Sequence, residues 1–244
     1  MIFVTGDTHG LRDIDKFESS YFLENINKPE NIVVITGDFG VTWDRETMAR
    51  SIAYYSQFDC KFMFIDGNNE NFDILNTLPV TEYCGGKVHK VSDNIMHMMR
   101  GEIFNFDGVK VLAFGGADSW DSPERCSYTS RVAHKSWWRE ETPTIDEFYN
   151  AMDNLEENDN VVDIILTHET TSKNVANYFS YSITDRTCSY LDEIAEVADY
   201  KMWYFGHHHY DMQVSPTERC IFNDFVNISE VVNLPYASER VDIM

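Results

Sequence analysis

Hydrophobic positions along this chain come in short continuous runs. Ile2–Thr5, Ile32–Thr36, Phe62–Ile65, Val161–Leu166 and Met202–Phe205 are each rich in β-branched or aromatic residues. Runs of that length, bounded by Gly, Asp and Asn, predict buried strands. Between them the period changes. Thr47–Phe58 predicts a helix between the second and third strands, and Phe72–Leu78 a short one after the third. Thr144-Ile145-Asp146-Glu147 fits a capping box that opens a helix ending near Leu155. Ser189–Asp199 predicts another helix ahead of the fifth strand. Glu102–Phe106, Asp107-Gly108 and Val109–Phe114 read as a hairpin with a two-residue turn, and Asp211–Val214 and Cys220–Asn227 as late β segments. Asp118–Glu141, polar and aromatic, fits no period. With no repeat or linker to mark a boundary, residues 1–244 are expected to form one domain. Parallel strands come first and mixed strands later, in two packed sheets flanked by helices.

All five runs stop at residues that bind metals. They lead into Gly6-Asp7-Thr8-His9, Gly37-Asp38, Asp66-Gly67-Asn68-Asn69-Glu70, Thr167-His168 and Gly206-His207-His208-His209. Where strands and helices alternate, ligands gather beyond the carboxyl ends of the strands. Two Asp, one Asn and four His would then converge at one end of the molecule. Taken singly, Asp7 and Asp38 read equally well as turn residues, and His168 as a satisfied core histidine. That reading does not explain why four of the eight histidines fall into this register. The set suits two divalent cations. Carboxylates match their charge, one of them bridging, and imidazoles favour first-row transition metals over calcium. Such a pair suggests phosphoester chemistry.

Charge narrows the partners. With 41 acidic against 19 basic residues the formal net charge is −22. Such a surface repels nucleic acid and anionic membrane at long range. Long nucleic acid is therefore not an expected partner, whereas a small, nucleotide-like phosphoester remains compatible. Five cysteines, an odd number with no C-x-x-C pair, are expected to be free thiols in a reducing cytoplasm. No apolar run approaches the roughly 20 residues that span a bilayer. The N-terminus runs directly into a strand without a basic leader region. A soluble, cytoplasmic protein without membrane attachment is expected; its oligomeric state is unknown from these patterns.

The order D-x-H, G-D, G-N-x-E, H, G-H-x-H, from Asp7 to His209, resembles the calcineurin-like metallophosphoesterase superfamily. That resemblance implies an α/β fold, a four-layer α/β/β/α sandwich of two mixed sheets. It implies two divalent metal ions, Mn or Fe by preference, with Zn, Ni or Co as alternatives. Carried over by position, Asp7, His9 and His209 hold one metal, Asn68, His168 and His207 hold the other, and Asp38 bridges them. The implied activity is hydrolysis of a phosphoester, a phosphodiester ahead of a phosphomonoester, by a hydroxide bridging the metals. Asp38, Asn69 and His168 would be the catalytic residues. The alternatives are a non-catalytic binding module on the same fold and a serine/threonine protein phosphatase.

The chain departs from the family pattern at Asn69, where many members carry a His that resembles a general acid. Asn can donate a hydrogen bond but cannot deliver a proton at neutral pH. Such help is typically worth about 10²–10⁴-fold, so unactivated esters should react slowly unless another group substitutes. His134 is either that substitute or a surface loop histidine. Asp44 and Arg45 stand only loosely where the second motif often has a further acidic or Arg residue. The fourth motif continues Glu169-Thr170-Thr171 without the frequent proline. Gly115–Asp121 followed by Trp137–Glu141 resembles a pattern in small bacterial and phage members of the superfamily, and is expected over the metal mouth. There Arg125 and Arg131, with Asn69, are candidate substrate contacts, because a guanidinium forks onto two phosphate oxygens. Each Arg reads equally as a surface ion pair, and Arg100 carries the same ambiguity. Trp137 and Trp138 would stack on an aromatic group or pack in the core.

Overall fold

The computed structural model describes residues 1–179 and 184–239. The first half of the chain runs β1 (Ile2–Thr5), β2 (Ile32–Thr36), α1 (Arg45–Tyr55), β3 (Lys61–Ile65), α2 (Phe72–Leu75), β4 (Val80–Tyr83), β5 (Gly86–Lys90) and β6 (Ile95–Met98). The second half runs β7 (Ile103–Phe106), β8 (Val109–Phe114), α3 (Ile145–Glu157), β9 (Ile164–Thr167), α4 (Ser172–Tyr178), α5 (Arg186–Val197), β10 (Met202–Phe205), β11 (Met212–Ser215), β12 (Glu218–Cys220) and β13 (Val226–Asn227). One sheet is ordered β13-β1-β2-β3-β6-β5-β4 and the other β11-β12-β10-β9-β8-β7. The central strands of each are parallel, and antiparallel strands close both edges.

Alternation along the strands builds the layers, because successive side chains leave a strand on opposite faces. From one sheet Ile2, Val4, Val34, Met63 and Ile65 point inward. They meet Val111, Ala113, Ile164, Leu166, Met202 and Tyr204 of the other. The opposite residues, Phe3, Val33, Ile35, Phe62 and Phe64, pack outward against Tyr55 of α1 and the turns carrying Phe17 and Phe22. In the second sheet Leu112, Phe114, Ile165, Trp203 and Phe205 lie under Phe148 and Leu155 of α3 and Leu191 and Ile194 of α5. The result is the expected α/β/β/α sandwich of two mixed sheets. Strands buried on both faces need apolar residues at every position, which is why the runs are continuous.

Several boundaries differ from the sequence reading. The strand expected at Val161 starts at Ile164, because Asp163 turns aside to accept from Lys110 N (2.9 Å) and to pair with Lys201 (2.8 Å). The helix expected over 47–58 starts at Arg45, since the Asp44 side chain accepts from Thr47 N at 2.7 Å. Asp44 is therefore a helix cap. The 189–199 helix likewise starts at Arg186, capped by Asp185. The segment 220–227 is two strands in different sheets. Between them, Asp211 accepts from the backbone N–H groups of Phe222, Asn223 and Asp224 and bends the chain across. β4, β5 and β6 carried no readable signal: β4 is exposed and charged, and β6 has only four residues.

Candidate metal centre

All the parallel strands point their carboxyl ends toward one edge of the sandwich. Asp7 and His9 follow β1, Asp38 follows β2 and Asn68 follows β3; His168 follows β9, and His207 and His209 follow β10. To turn these side chains inward the backbone takes left-handed conformations at four non-glycine residues: His9 (φ 45°), Asp38 (47°), His207 (64°) and His209 (57°). Such positions cost of order 1–3 kcal/mol each and persist where surrounding structure over-determines them. Two glycines make the convergence possible. A Cβ on Gly37 would collide with the His168 ring, and one on Gly206 would sit 2.5 Å from Asp7 Oδ1.

The converging atoms form two groups. Asp7, His9 and His209 each offer a ligand atom, all within 4.8 Å of one another, and so do Asp38, His168 and His207. One ring nitrogen each of His9, His168 and His207 is engaged by a residue outside these groups, which turns the other toward its group. His9 Nδ1 donates to Asp13 Oδ2 at 2.7 Å, and His168 Nδ1 to the Thr36 carbonyl at 2.8 Å. His207 Nε2 faces Glu169 Oε2 at 3.5 Å, with its Nδ1 3.2 Å from His168 Nε2. Asn68 donates through Nδ2 to Ser119 Oγ (3.1 Å) and turns Oδ1 to within 3.3 Å of His168 Nε2. Carboxylate and carbonyl partners on ligand histidines fix ring orientation and raise basicity.

Electrostatics call for positive charge at this point. Burial would raise the carboxyls of Asp7 and Asp38, but the neighbouring imidazoles, His168 foremost, hold both below the ordinary carboxylate range. Burial lowers His9, yet the Asp38 and Asp7 carboxylates outweigh it and lift the ring to about 9. His207, whose burial dominates, falls to about 4; a cation binding beside His9 and His168 would displace the protons that the carboxylates favour there. Oxygen and imidazole donors together fit first-row divalent cations.

The remaining candidates separate. Asn69 sits at the centre, with N and Nδ2 donating to the two oxygens of Asp38 at 2.7 and 2.6 Å. Arg131 reaches it, Nη2 lying 3.5 Å from Asn69 Oδ1, while also pairing with Asp121 (2.9 Å). Arg125 is ion-paired with Asp118 and lines a neighbouring cavity of about 670 Å³ together with Trp137. His134 is an exposed loop residue on Asp73, 3.0 Å away. Trp138 is core, with Nε1 donating to Asp73. Arg100 is a buried structural cation held by Asp66 and Glu147.

The supporting roles of four residues escaped sequence reasoning, although Glu70 stands inside the third motif. Asp13 carried a signal, four residues beyond His9. Glu169 did not: it is buried between His207 and His208, and these imidazoles overcome burial to hold it at about 2. Lys16 is a buried ammonium that donates to the carbonyls of Gly6 (2.8 Å), Asp7 (2.9 Å) and Phe222 (2.6 Å), tying the first motif to the loop after β12. Glu70, lifted to about 8 by burial, accepts from Gly40 N and Thr42 Oγ1 and orders the loop after Asp38. A third acidic group, Glu169, Asp185 and Cys188, is structural: Asp185 caps α5, and burial pushes the Cys188 thiol up.

A sandwich with these donors at its strand ends defines a metal-dependent phosphoesterase. The sequence pattern of the calcineurin-like phosphoesterases matches residues 1–211, and the chain belongs to that family. No curated protein matches it. Among the described residues no helix is long and apolar enough to cross a membrane.

Proposed function

We propose that this phosphoesterase uses two divalent cations and prefers phosphodiesters. Asp7, His9 and His209 would hold one cation, Asn68, His168 and His207 the other, with Asp38 shared between them. The observation that carries this reading is the placement of Asp38. Its Oδ2 lies 3.2 Å from His9 Nε2 and its Oδ1 3.4 Å from His168 Nε2, so one oxygen addresses each group. Cations bound there would polarise phosphoryl oxygens and lower the pKa of water.

The chain's own residues set the rest. Asn69 grips both oxygens of Asp38 and fixes its plane. Asp13, Thr36 and Glu169 hold the rings of His9, His168 and His207. Arg131 stands at the mouth, where its guanidinium meets phosphoryl oxygens. It is already paired with Asp121 at 2.9 Å. A diester with one negative charge therefore suits the mouth better than a monoester with nearly two.

Manganese loading tests the proposal. Elemental analysis should find two Mn²⁺ per wild-type chain and fewer in Asp38→Asn. Bis-p-nitrophenyl phosphate should turn over faster than p-nitrophenyl phosphate, and Asp38→Asn should lower that turnover by roughly 100-fold or more. Hydrolysis of a phosphopeptide alone would instead identify a protein phosphatase. Two bound metals with no turnover of any ester would identify a binding module.

A further inference from the structure

A pocket of about 300 Å³ opens directly beside the metal centre and shares His9 and Asn69 with it. Arg12, Arg50 and Trp43 form much of its remaining wall. Of its nine lining residues none is acidic, in a chain with 41 Asp and Glu. Arg12 and Arg50 are exposed, and among the described residues neither forms a side-chain salt bridge. Two carboxylates next to the pocket residues in the chain are committed elsewhere: Asp13 to His9 and Asp44 to Thr47 at the start of α1, although Asp44 does feel the Arg50 charge. Trp43 is half-buried and held in place, its ring edge-to-face with Trp138 at 5.6 Å and its carbonyl accepting from Asn71 Nδ2 at 2.9 Å.

Two guanidiniums without carboxylate partners, next to a fixed indole, make a site for an anion attached to a planar ring. We infer that this pocket binds the part of the substrate beyond the scissile phosphorus, and that this part is nucleotide-like and carries a second phosphate. Arg12 and Arg50 take the second phosphate, and Trp43 supports the ring. The inference rests on the phosphodiesterase reading and sharpens it. The diester charge is met at the metal centre, and the second charge is met in the pocket.

The test uses two esters of thymidine 5′-phosphate with p-nitrophenol, one with and one without a 3′-phosphate, on the Mn²⁺-loaded protein. The 3′-phosphorylated ester should show the lower KM, by about tenfold for a charge-assisted contact. In Arg12→Gln/Arg50→Gln the KM ratio of the two esters should collapse toward one. A Lys28→Gln/Lys90→Gln control, which removes the same charge at the opposite edge of the sheet, should keep the ratio. Calorimetry provides a readout apart from turnover: thymidine 3′,5′-bisphosphate should bind tighter than thymidine 5′-phosphate, and only when Arg12 and Arg50 are present. Equal affinities for the two nucleotides, or a ratio unmoved by the arginine substitutions, overturns the inference. If neither ester is turned over but the calorimetric preference holds, the pocket stands and the hydrolytic reading falls.

Discussion

On the proposed reading, the handling of a leaving group turns on Asn69. Its backbone and side-chain amides both donate to Asp38, so it acts on the carboxylate between the two ligand groups. It has no proton to give at neutral pH. Asn69→His should therefore raise kcat on a dinucleotide, whose alkoxide leaves poorly, more than on bis-p-nitrophenyl phosphate, whose phenolate needs no protonation. Equal changes on the two would show that the substitution acts through the position of Asp38 and not through a proton. The metal-ligand candidates were legible one by one because each follows an apolar run. Their supports were less so. Glu169 lies beside His168 in the chain, yet its partners His207 and His208 are about 40 positions away, and only packing of β9 against β10 joins them.

At the scale of elements, helix starts follow local rules, and the sequence carries them. Thr144 and Glu147 form the reciprocal capping box at α3 that their spacing implies. What holds α3 to the sheet is not local. Arg100, just after β6, donates to Asp66 from Nε (2.9 Å) and Nη2 (2.5 Å), to Glu147 of α3 (3.0 Å) and to the Glu140 carbonyl (2.7 Å). Removing one partner of a buried ion pair strands the other charge. Arg100→Met should destabilise the protein by about 3–5 kcal/mol, read as a lower urea midpoint, and Arg100→Met/Asp66→Asn should recover part of the loss. If the double variant is no more stable than Arg100→Met, the loss comes from packing of the Arg100 stem and not from the stranded carboxylate.

For the whole molecule, charge sets which partners can approach. A formal charge of −22 opposes a long polyanion wherever it docks, and the two exposed arginines of the pocket beside His9 offer only a local exception. A DNA duplex of about 30 base pairs should show no mobility shift at about 0.15 M salt, while small nucleotides still bind; retention of the duplex would reveal a basic track hidden from sequence. By itself the sequence determined the buried parallel strands that carry the ligand motifs, the caps and the order of those motifs. All of these depend on near neighbours: the alternation of a pleated strand, the reach of a side chain to an N–H three residues on, and a turn at a strand end. Tertiary structure alone decided which face of each strand meets the other sheet and that 220–227 divides between two sheets. It also made Arg100 a buried strut, and it left Arg12 and Arg50 facing one pocket. Each of these depends on charges and surfaces far apart in the chain, whose pairing exists only once the two sheets have closed on each other.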